Sequence, residues 1–98
     1  MAKAYMVVTY RSISKPDKLA AYAKIAGPAI QAGGGRYLVR GTPAKTYEAG
    51  MNERTVVVEF PSVAAARAAY EGPGYAEALK ALGKNAAVRD MRIVEGVA

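Results

Sequence analysis

The sequence predicts an α+β domain in which four strands and two helical regions follow one another in the order βαββαβ. Three observations lead to this prediction. Short runs are rich in β-branched and aromatic residues, Ala-rich stretches repeat apolar side chains at helical spacing, and glycine or proline stands at the junctions. The chain has 98 residues, and we expect residues 1–98 to form a single domain.

The first strand and the first helix are predicted in the first third of the chain. Residues 5–10, Tyr-Met-Val-Val-Thr-Tyr, are typical of a strand. Ser14 is expected to cap the helix that follows, because a proline and an acidic residue come soon after it. Pro28 cannot donate to the carbonyl four residues earlier, so we expect a kink or break there. The glycines at positions 33–35 end the helix.

The rest of the chain repeats this pattern. Ser62 is expected to cap a second helical region, which the Gly-Pro-Gly at 72–74 breaks and which continues over residues 75–82. A turn-rich stretch separates the second strand from the third. The remaining strands are predicted at residues 36–40, 54–60 and 88–97.

Two split βαβ units with right-handed crossovers place the strands in one four-stranded antiparallel sheet, with the helices on one of its faces. This is the ferredoxin-like arrangement. Its strands should alternate apolar and polar residues, since only one face is covered. The first strand does not, because Met6 and Val8 point to one face while Tyr5 and Val7 point to the other.

The face without helices would therefore expose on the order of several hundred Å² of apolar surface, about the largest patch found on a monomer. A second copy that places the same face against it would bury this surface, and a homodimer is predicted for that reason. The alternative is a face that stays hydrated, because apolar atoms are common on protein surfaces.

Four stretches, in order and over nearly the whole chain, match the motifs of one known family. They are residues 34–41 (GGRYLVRG), 54–62 (RTVVVEFPS), 70–75 (YEGPGY) and 93–96 (IVEG). Together they resemble the DUF1330 family. The resemblance implies a dimeric α+β barrel, in which two ferredoxin-like sheets face each other. It implies little about activity, because the family is named for its unknown function. Related barrel families include monooxygenases and isomerases that work without a cofactor, so such chemistry is an analogy at the level of the fold.

Composition excludes several kinds of site. The chain has no Cys and no His, which rules out disulfides, thiolate metal sites, a Cys nucleophile and a His general base. The acidic residues are dispersed, and we expect no metal and no cofactor. The net charge of +6 comes from scattered basic residues, which does not favour a nucleic-acid partner. No apolar run has the length of a membrane span, so we expect no membrane contact and a cytoplasmic location.

Three arginines are candidates for binding a carboxylate. Arg36 and Arg40 are expected on one face of the second strand, and Arg54 begins the neighbouring strand. Guanidinium groups near one end of a sheet could hold a carboxylate through paired hydrogen bonds. The alternative is that these arginines form structural ion pairs with Glu48, Glu53 or Glu59.

Tyrosine is the dominant aromatic residue, with seven copies against one Phe and no Trp. A phenol beside an arginine can orient a carbonyl group or act as an acid. The alternative is core packing with a satisfied hydroxyl. We expect a ligand pocket between the sheet and the helices, close to the dimer seam. Its predicted residues are Tyr22, Arg40, Arg54, Tyr70 and Tyr75.

Three functions stay open at this point. The first is a homodimer that binds a small, carboxylate-bearing molecule, with cofactor-independent enzymatic activity as an extension. The second is a structural or interaction subunit without a ligand. The third is an RNA-binding module, for which Tyr5 and Tyr37 would have to stack bases on one exposed sheet face.

Overall fold

The structure, a computed structural model, describes residues 2–97. It contains four strands and three helices, and the chain alternates between them in the predicted order. The strands are β1 (Ala4–Ile13), β2 (Arg36–Gly41), β3 (Thr55–Phe60) and β4 (Ala87–Glu95). The helices are α1 (Pro16–Ala32), α2 (Val63–Glu71) and α3 (Pro73–Leu82).

The sheet has the strand order β2-β3-β1-β4, and every neighbouring pair is antiparallel. The first strand therefore lies between the third and the fourth, as two split βαβ units require. Met6 in β1 is opposite Val58 of β3 and Ile93 of β4, so these side chains share one face. The predicted α+β, ferredoxin-like fold is confirmed.

One face of the sheet packs against the helices. Phe60 is fully buried on this face, and Tyr75 of α3 is almost as completely enclosed. Full burial of one large apolar side chain contributes roughly 1.5–3 kcal/mol, so this layer holds the fold together. The buried cluster comprises Met6, Val8, Tyr10, Ala26, Ile30, Val56, Val58, Phe60, Ala66, Tyr75 and Ala78.

No helix within residues 2–97 covers the opposite face. Val7 pairs with Val57 at its centre, and Val39 and Val94 on the two edge strands are about half exposed. The centre of this face is therefore apolar, and charged groups flank it. The ion pairs at its two ends join Glu59 to Lys3 and Arg36, and Asp90 to Arg11 and Arg92.

The two predicted serine caps have different outcomes. Ser62 caps α2, since its Oγ accepts a hydrogen bond of 3.0 Å from the backbone N–H of Ala65. The prediction for Ser14 is wrong, because Lys15 is the residue before α1 and no side chain caps this helix. The Ser14 Oγ instead donates to the carbonyl oxygen of Asn85 at 2.6 Å. Strand β1 is longer than predicted, and this extension brings the serine to the turn before β4.

The two predicted helix interruptions also differ. Gly72 separates α2 from α3, and Pro73 is the first residue of the new helix, as expected. Helix α1, however, runs without a break through Pro28. A proline removes one backbone hydrogen bond, whereas Ala26 and Ile30 on either side are buried in the core. Tertiary packing of both turns therefore holds the helix in one piece.

Candidate functional site

Three polar side chains from different elements meet between the sheet and the helices. Tyr22 comes from α1, Tyr75 from α3 and Arg89 from β4. The Nη1 group of Arg89 donates to the Tyr22 hydroxyl at 2.9 Å and to the Tyr75 hydroxyl at 3.3 Å. The two hydroxyls also hydrogen-bond to each other. We call these three residues the Arg–Tyr cluster.

Local structure explains how the cluster forms. Tyr22 lies about one turn before the buried Ala26 of α1, on the same side of that helix. Tyr75 is the third residue of α3 and points into the core from its first turn. Arg89 pairs with Tyr10 across the β1–β4 ladder, and this register places it on the helix-covered face of the sheet. Each element thus directs one polar side chain into an otherwise apolar layer.

Aromatic contacts fix the positions of the phenol rings. The rings of Tyr22 and Tyr75 meet edge to face, with centroids 5.9 Å apart and an interplanar angle of 84°. The ring of Tyr70 packs on Tyr75 with centroids 5.0 Å apart. The guanidinium of Arg89 lies 4.9 Å from the centroid of the Tyr22 ring. Such contacts orient the hydroxyls as well as burying ring surface.

Electrostatics keep the Tyr22 phenol neutral. Burial raises the pKa of Tyr22 well above its ordinary value, and the neighbouring Tyr75 raises it further. The positive charge of Arg89 lowers this pKa but does not offset the two larger effects. A guanidinium stays protonated in proteins, so Arg89 is a permanent cation and donor. No carboxylate within residues 2–97 forms an ion pair with it.

The count of protons in the cluster leaves one donor over. The phenols of Tyr22 and Tyr75 carry one proton each, and their mutual hydrogen bond uses one of the two. Arg89 only donates, so it cannot accept the other. The second phenolic proton is therefore available to an acceptor outside the cluster. Tyr22 lines a cavity, so this proton can point into the cavity when Tyr75 is the donor between the two hydroxyls.

The cavity beside Tyr22 also contains Arg40 and Arg54. Its volume is about 30 Å³, which is room for about one water molecule. Tyr10 and Tyr37 complete its polar and aromatic lining. We call this space the polar cavity.

A β-bulge decides which arginines reach the polar cavity. Arg36 is opposite Glu59 on the uncovered face, whereas Arg40 is opposite Val56 on the helix-covered face. The prediction that Arg36 and Arg40 share a face is therefore wrong. The register shifts between Tyr37 and Val39, and the extra residue reverses the alternation of side chains.

Ion pairing separates the three arginines in the same way. Arg36 forms the expected structural pair, with its Nη2 atom 3.6 Å from the Glu59 carboxylate. Neither Arg40 nor Arg54 has a carboxylate partner among residues 2–97. The guanidinium of Arg40 instead lies 4.4 Å above the Tyr37 ring. The polar cavity thus has two cations in its wall and no anion to balance them.

The same charges act on Tyr37. Burial raises the pKa of the Tyr37 phenol, and the positive charges of Arg40 and Arg54 partly offset this effect. The phenol therefore stays protonated at neutral pH and can donate a hydrogen bond. Both cationic and neutral donors line the cavity, which suits an anionic oxygen.

The structure brings together three of the five predicted site residues, namely Tyr22, Arg40 and Arg54. Tyr75 does not line the polar cavity but contacts Tyr22 through both its hydroxyl and its ring. Tyr70 lies behind it and lines a separate groove at the β4 edge. The predicted site is therefore divided. Tyr22, Arg40 and Arg54 line the polar cavity, whereas Tyr70 lines the separate groove.

Sequence reasoning missed Arg89 and Tyr10, and it considered Tyr37 only as a residue that could stack RNA bases. A signal for Arg89 was present, since it alternates with Met91 and Ile93 and must share their face. A charged residue on a covered face needs partners and marks a candidate site. The alternation of Tyr10 with Met6 and Val8 carries the same information. No sequence pattern indicates the bulge that determines which sheet face Tyr37 and its neighbours point to.

Two further properties bear on the kind of site. Within the part of the chain that the structure describes, no group of three or more acidic residues comes close enough together to hold a metal ion. None of the helices over residues 2–97 has the length and apolarity needed to cross a bilayer.

Comparisons with known proteins give the fold and a family. Crystal structures of RPA0582, a protein of unknown function from Rhodopseudomonas palustris, and of its methylated form are similar, each with 23% identity and a TM-score of 0.71. They cover 99% of this chain, which in turn covers 84% and 82% of theirs.

A protein from Caulobacter crescentus CB15, described provisionally as an antibiotic biosynthesis monooxygenase, matches with 17% identity and a TM-score of 0.63. The match covers 99% of this chain and 92% of that one. At these identities the likeness establishes the fold alone. No functionally curated protein shows significant similarity to the sequence. The model of one family matches residues 3–97, and the chain belongs to that family, DUF1330, a domain of unknown function.

Proposed function

We propose that this protein is a homodimer that binds a small carboxylate-bearing molecule in the polar cavity. One observation carries the proposal. Arg40 and Arg54 line this cavity without a carboxylate partner among residues 2–97, next to the phenol of Tyr22. Cations that face a shared cavity repel one another, so an anion between them would be favoured.

The size of the cavity restricts how the ligand would bind. A volume of about 30 Å³ accepts little more than the oxygens of a carboxylate. The body of the ligand would lie outside, past the exposed side chain of Arg40 where it stacks on Tyr37. This side chain belongs to an edge strand and can rotate aside without disturbing the core.

The Arg–Tyr cluster limits any chemistry at this site. The raised pKa of Tyr22 makes its phenolate a minor species near neutral pH, so the group is a donor rather than a general base. A neutral phenol backed by the Arg89 cation stabilises negative charge that develops on a ligand oxygen. Catalysis at this site would be confined to steps in which negative charge develops on a ligand oxygen.

The uncovered sheet face supports the homodimer. Val7 and Val57 at its centre, with Val39 and Val94 on the edge strands, form an apolar strip that another copy could bury. The single domain over residues 1–98 and the cytoplasmic location stay predictions that accompany this proposal.

Benzoate and benzamide test the proposal directly, because they differ in charge and hardly in shape. We expect benzoate to bind saturably and benzamide not to bind. Both titrations are measured by ¹H–¹⁵N spectra that include the arginine Nε–H signals. Shifts should appear at Tyr22, Arg40 and Arg54. Arg40→Gln and Arg54→Gln should each weaken benzoate at least tenfold, since a charge-assisted hydrogen bond contributes roughly 1.5–3 kcal/mol.

Arg36→Gln is the matched control, because Arg36 lies on the same strand as Arg40 but faces the other way. It should leave benzoate affinity unchanged. Equal binding of benzoate and benzamide, or equal loss in Arg36→Gln and Arg40→Gln, would refute a carboxylate site in the polar cavity. Complete absence of binding by small carboxylates would leave the structural subunit as the better account.

The RNA-binding alternative loses its main support. Tyr5 is opposite Glu59 on the uncovered face and donates a hydrogen bond of 3.1 Å to its carboxylate. Tyr37 is opposite Val58 and faces the helices. Two rings on opposite faces of the sheet cannot stack neighbouring bases.

A further inference from the structure

We propose that the groove between α2 and β4 binds a second ligand of a different class. This ligand is an uncharged aromatic or aliphatic molecule that carries one hydrogen-bonding oxygen. The groove has a volume of about 440 Å³ and shares no lining residue with the polar cavity. The proposal is therefore independent of the carboxylate site.

The groove has an apolar floor. Met6 of β1 and Met91 and Ile93 of β4 form this floor, and Val63 of α2 lines the groove beside them. Small-molecule sites in proteins typically have volumes of roughly 300–1,000 Å³ and a largely apolar lining. The two thioether side chains are flexible and polarizable, so they adapt to flat aromatic ligands. Shape and lining thus favour an apolar ligand body.

The charges at the rim of the groove are already paired. Arg67 and Glu71, one turn apart on α2, form an ion pair of 3.5 Å. Arg92 pairs with Asp90 at 3.1 Å. In the polar cavity, by contrast, two arginines have no carboxylate partner in the described part of the chain. A charged ligand in the groove would have to compete with existing ion pairs, whereas an uncharged one would not.

Tyr70 supplies the polar contact. Its ring lines the groove and is held in place by the ring of Tyr75 behind it, 5.0 Å away between centroids. No hydrogen bond among residues 2–97 uses the Tyr70 hydroxyl, in contrast to the hydroxyls of Tyr22 and Tyr75. A ligand oxygen in the groove would give this hydroxyl a partner, and its position would orient the ligand.

The test compares 2-naphthol with naphthalene, which differ by one hydroxyl. We expect both to bind saturably, with ¹H–¹⁵N shifts at Val63, Tyr70 and Ile93, and 2-naphthol to bind more tightly. Tyr70→Phe should weaken 2-naphthol by roughly three- to tenfold, the size of one neutral hydrogen bond, and leave naphthalene unchanged. Because this hydroxyl has no hydrogen-bond partner in the described part of the chain, the variant should fold normally.

Val63→Trp tests the location by filling the groove, and it should weaken both probes at least tenfold. Ala64→Trp is the matched control, since Ala64 is the next residue of α2 and is exposed. It should bind both probes as the wild type does. The proposal is overturned if neither probe saturates, if shifts map to Val7 and Val57, or if Tyr70→Phe weakens both probes equally. Should Val63→Trp fail to fold, the Tyr70→Phe comparison and the shift map decide alone.

Discussion

Arg89 donates a hydrogen bond of 2.9 Å to the hydroxyl of Tyr22, and this bond ties the edge strand β4 to helix α1 across the core. The same guanidinium reaches Tyr75 on α3 at 3.3 Å, so one side chain connects three elements. The acceptors of these bonds are phenolic oxygens. No carboxylate from residues 2–97 accepts a hydrogen bond from Arg89. The cluster therefore stabilises the fold, and no carboxylate in the described part of the chain neutralises its positive charge.

Removing either phenolic hydroxyl should destabilise the protein. Tyr22→Phe and Tyr75→Phe each take an acceptor from the half-buried Arg89, and we expect each to cost about 1–2 kcal/mol in the free energy of unfolding. The double variant should cost less than the sum, since both hydroxyls share one donor and bond to each other. Urea denaturation of the four proteins measures this coupling.

Tyr47→Phe is the control for these variants, because the Tyr47 side chain is 75% exposed. It should leave the unfolding midpoint unchanged. Strict additivity of Tyr22→Phe and Tyr75→Phe would contradict a shared network.

The raised pKa of Tyr22 predicts a loss of stability at high pH. Well below pH 10 the phenol is protonated in both the folded and the unfolded chain, and its contribution to stability is constant. Above about pH 10.0, its ordinary value, the unfolded chain releases this proton while the folded protein keeps it. Unfolding is then favoured by up to about 1.4 kcal/mol per pH unit for this one group.

Tyr22→Phe isolates this contribution from those of other titrating groups. Its stability should fall less steeply than that of the wild type between pH 10 and 11, as measured by urea denaturation. Parallel pH profiles of the two proteins would show that Tyr22 releases its proton equally easily in both states.

The order of strand-like and helical stretches was sufficient to predict the fold, and the strand positions to predict Arg40 and Arg54, but not how these two arginines are arranged. Apolar residues point to both faces of β1, Met6 to one and Val7 to the other, so the sequence did not show which face the helices cover. The single extra residue at Leu38 cannot be recognised in the sequence, since a bulge depends on how two strands pair. The position of Arg40 in the cavity therefore required the three-dimensional register.

Because the core packs closely around Gly35, adding one methyl group there should strongly lower the stability of the protein. A Cβ atom there would lie 2.6 Å from Ile30 Cγ2 and 2.9 Å from both Phe60 Cζ and Val58 Cγ1. Because all three neighbours are buried in the core, Gly35→Ala should destabilise the protein by roughly 1–3 kcal/mol. Thermal and urea unfolding both report this change.

Gly41→Ala is the matched control, since Gly35 immediately precedes β2 and Gly41 ends it, and a Cβ atom at Gly41 would meet nothing within 4 Å. We expect it to change stability by less than about 0.5 kcal/mol. If Gly35→Ala and Gly41→Ala lost similar amounts of stability, the cause would be the backbone rather than packing around Gly35.

The last prediction concerns the uncovered sheet face. Val57 pairs with Val7 at the centre of this face and is only partly exposed in a single chain. In a homodimer built through this face, Val57→Lys would place an unpaired charge within the interface. We expect light scattering to give twice the 10.3 kDa chain mass for the wild type and the monomer mass for the variant. Ala68→Lys on the exposed side of α2 should remain dimeric. A wild-type mass of one chain at micromolar concentration would refute the homodimer, and a dimer that survives Val57→Lys would place the interface elsewhere.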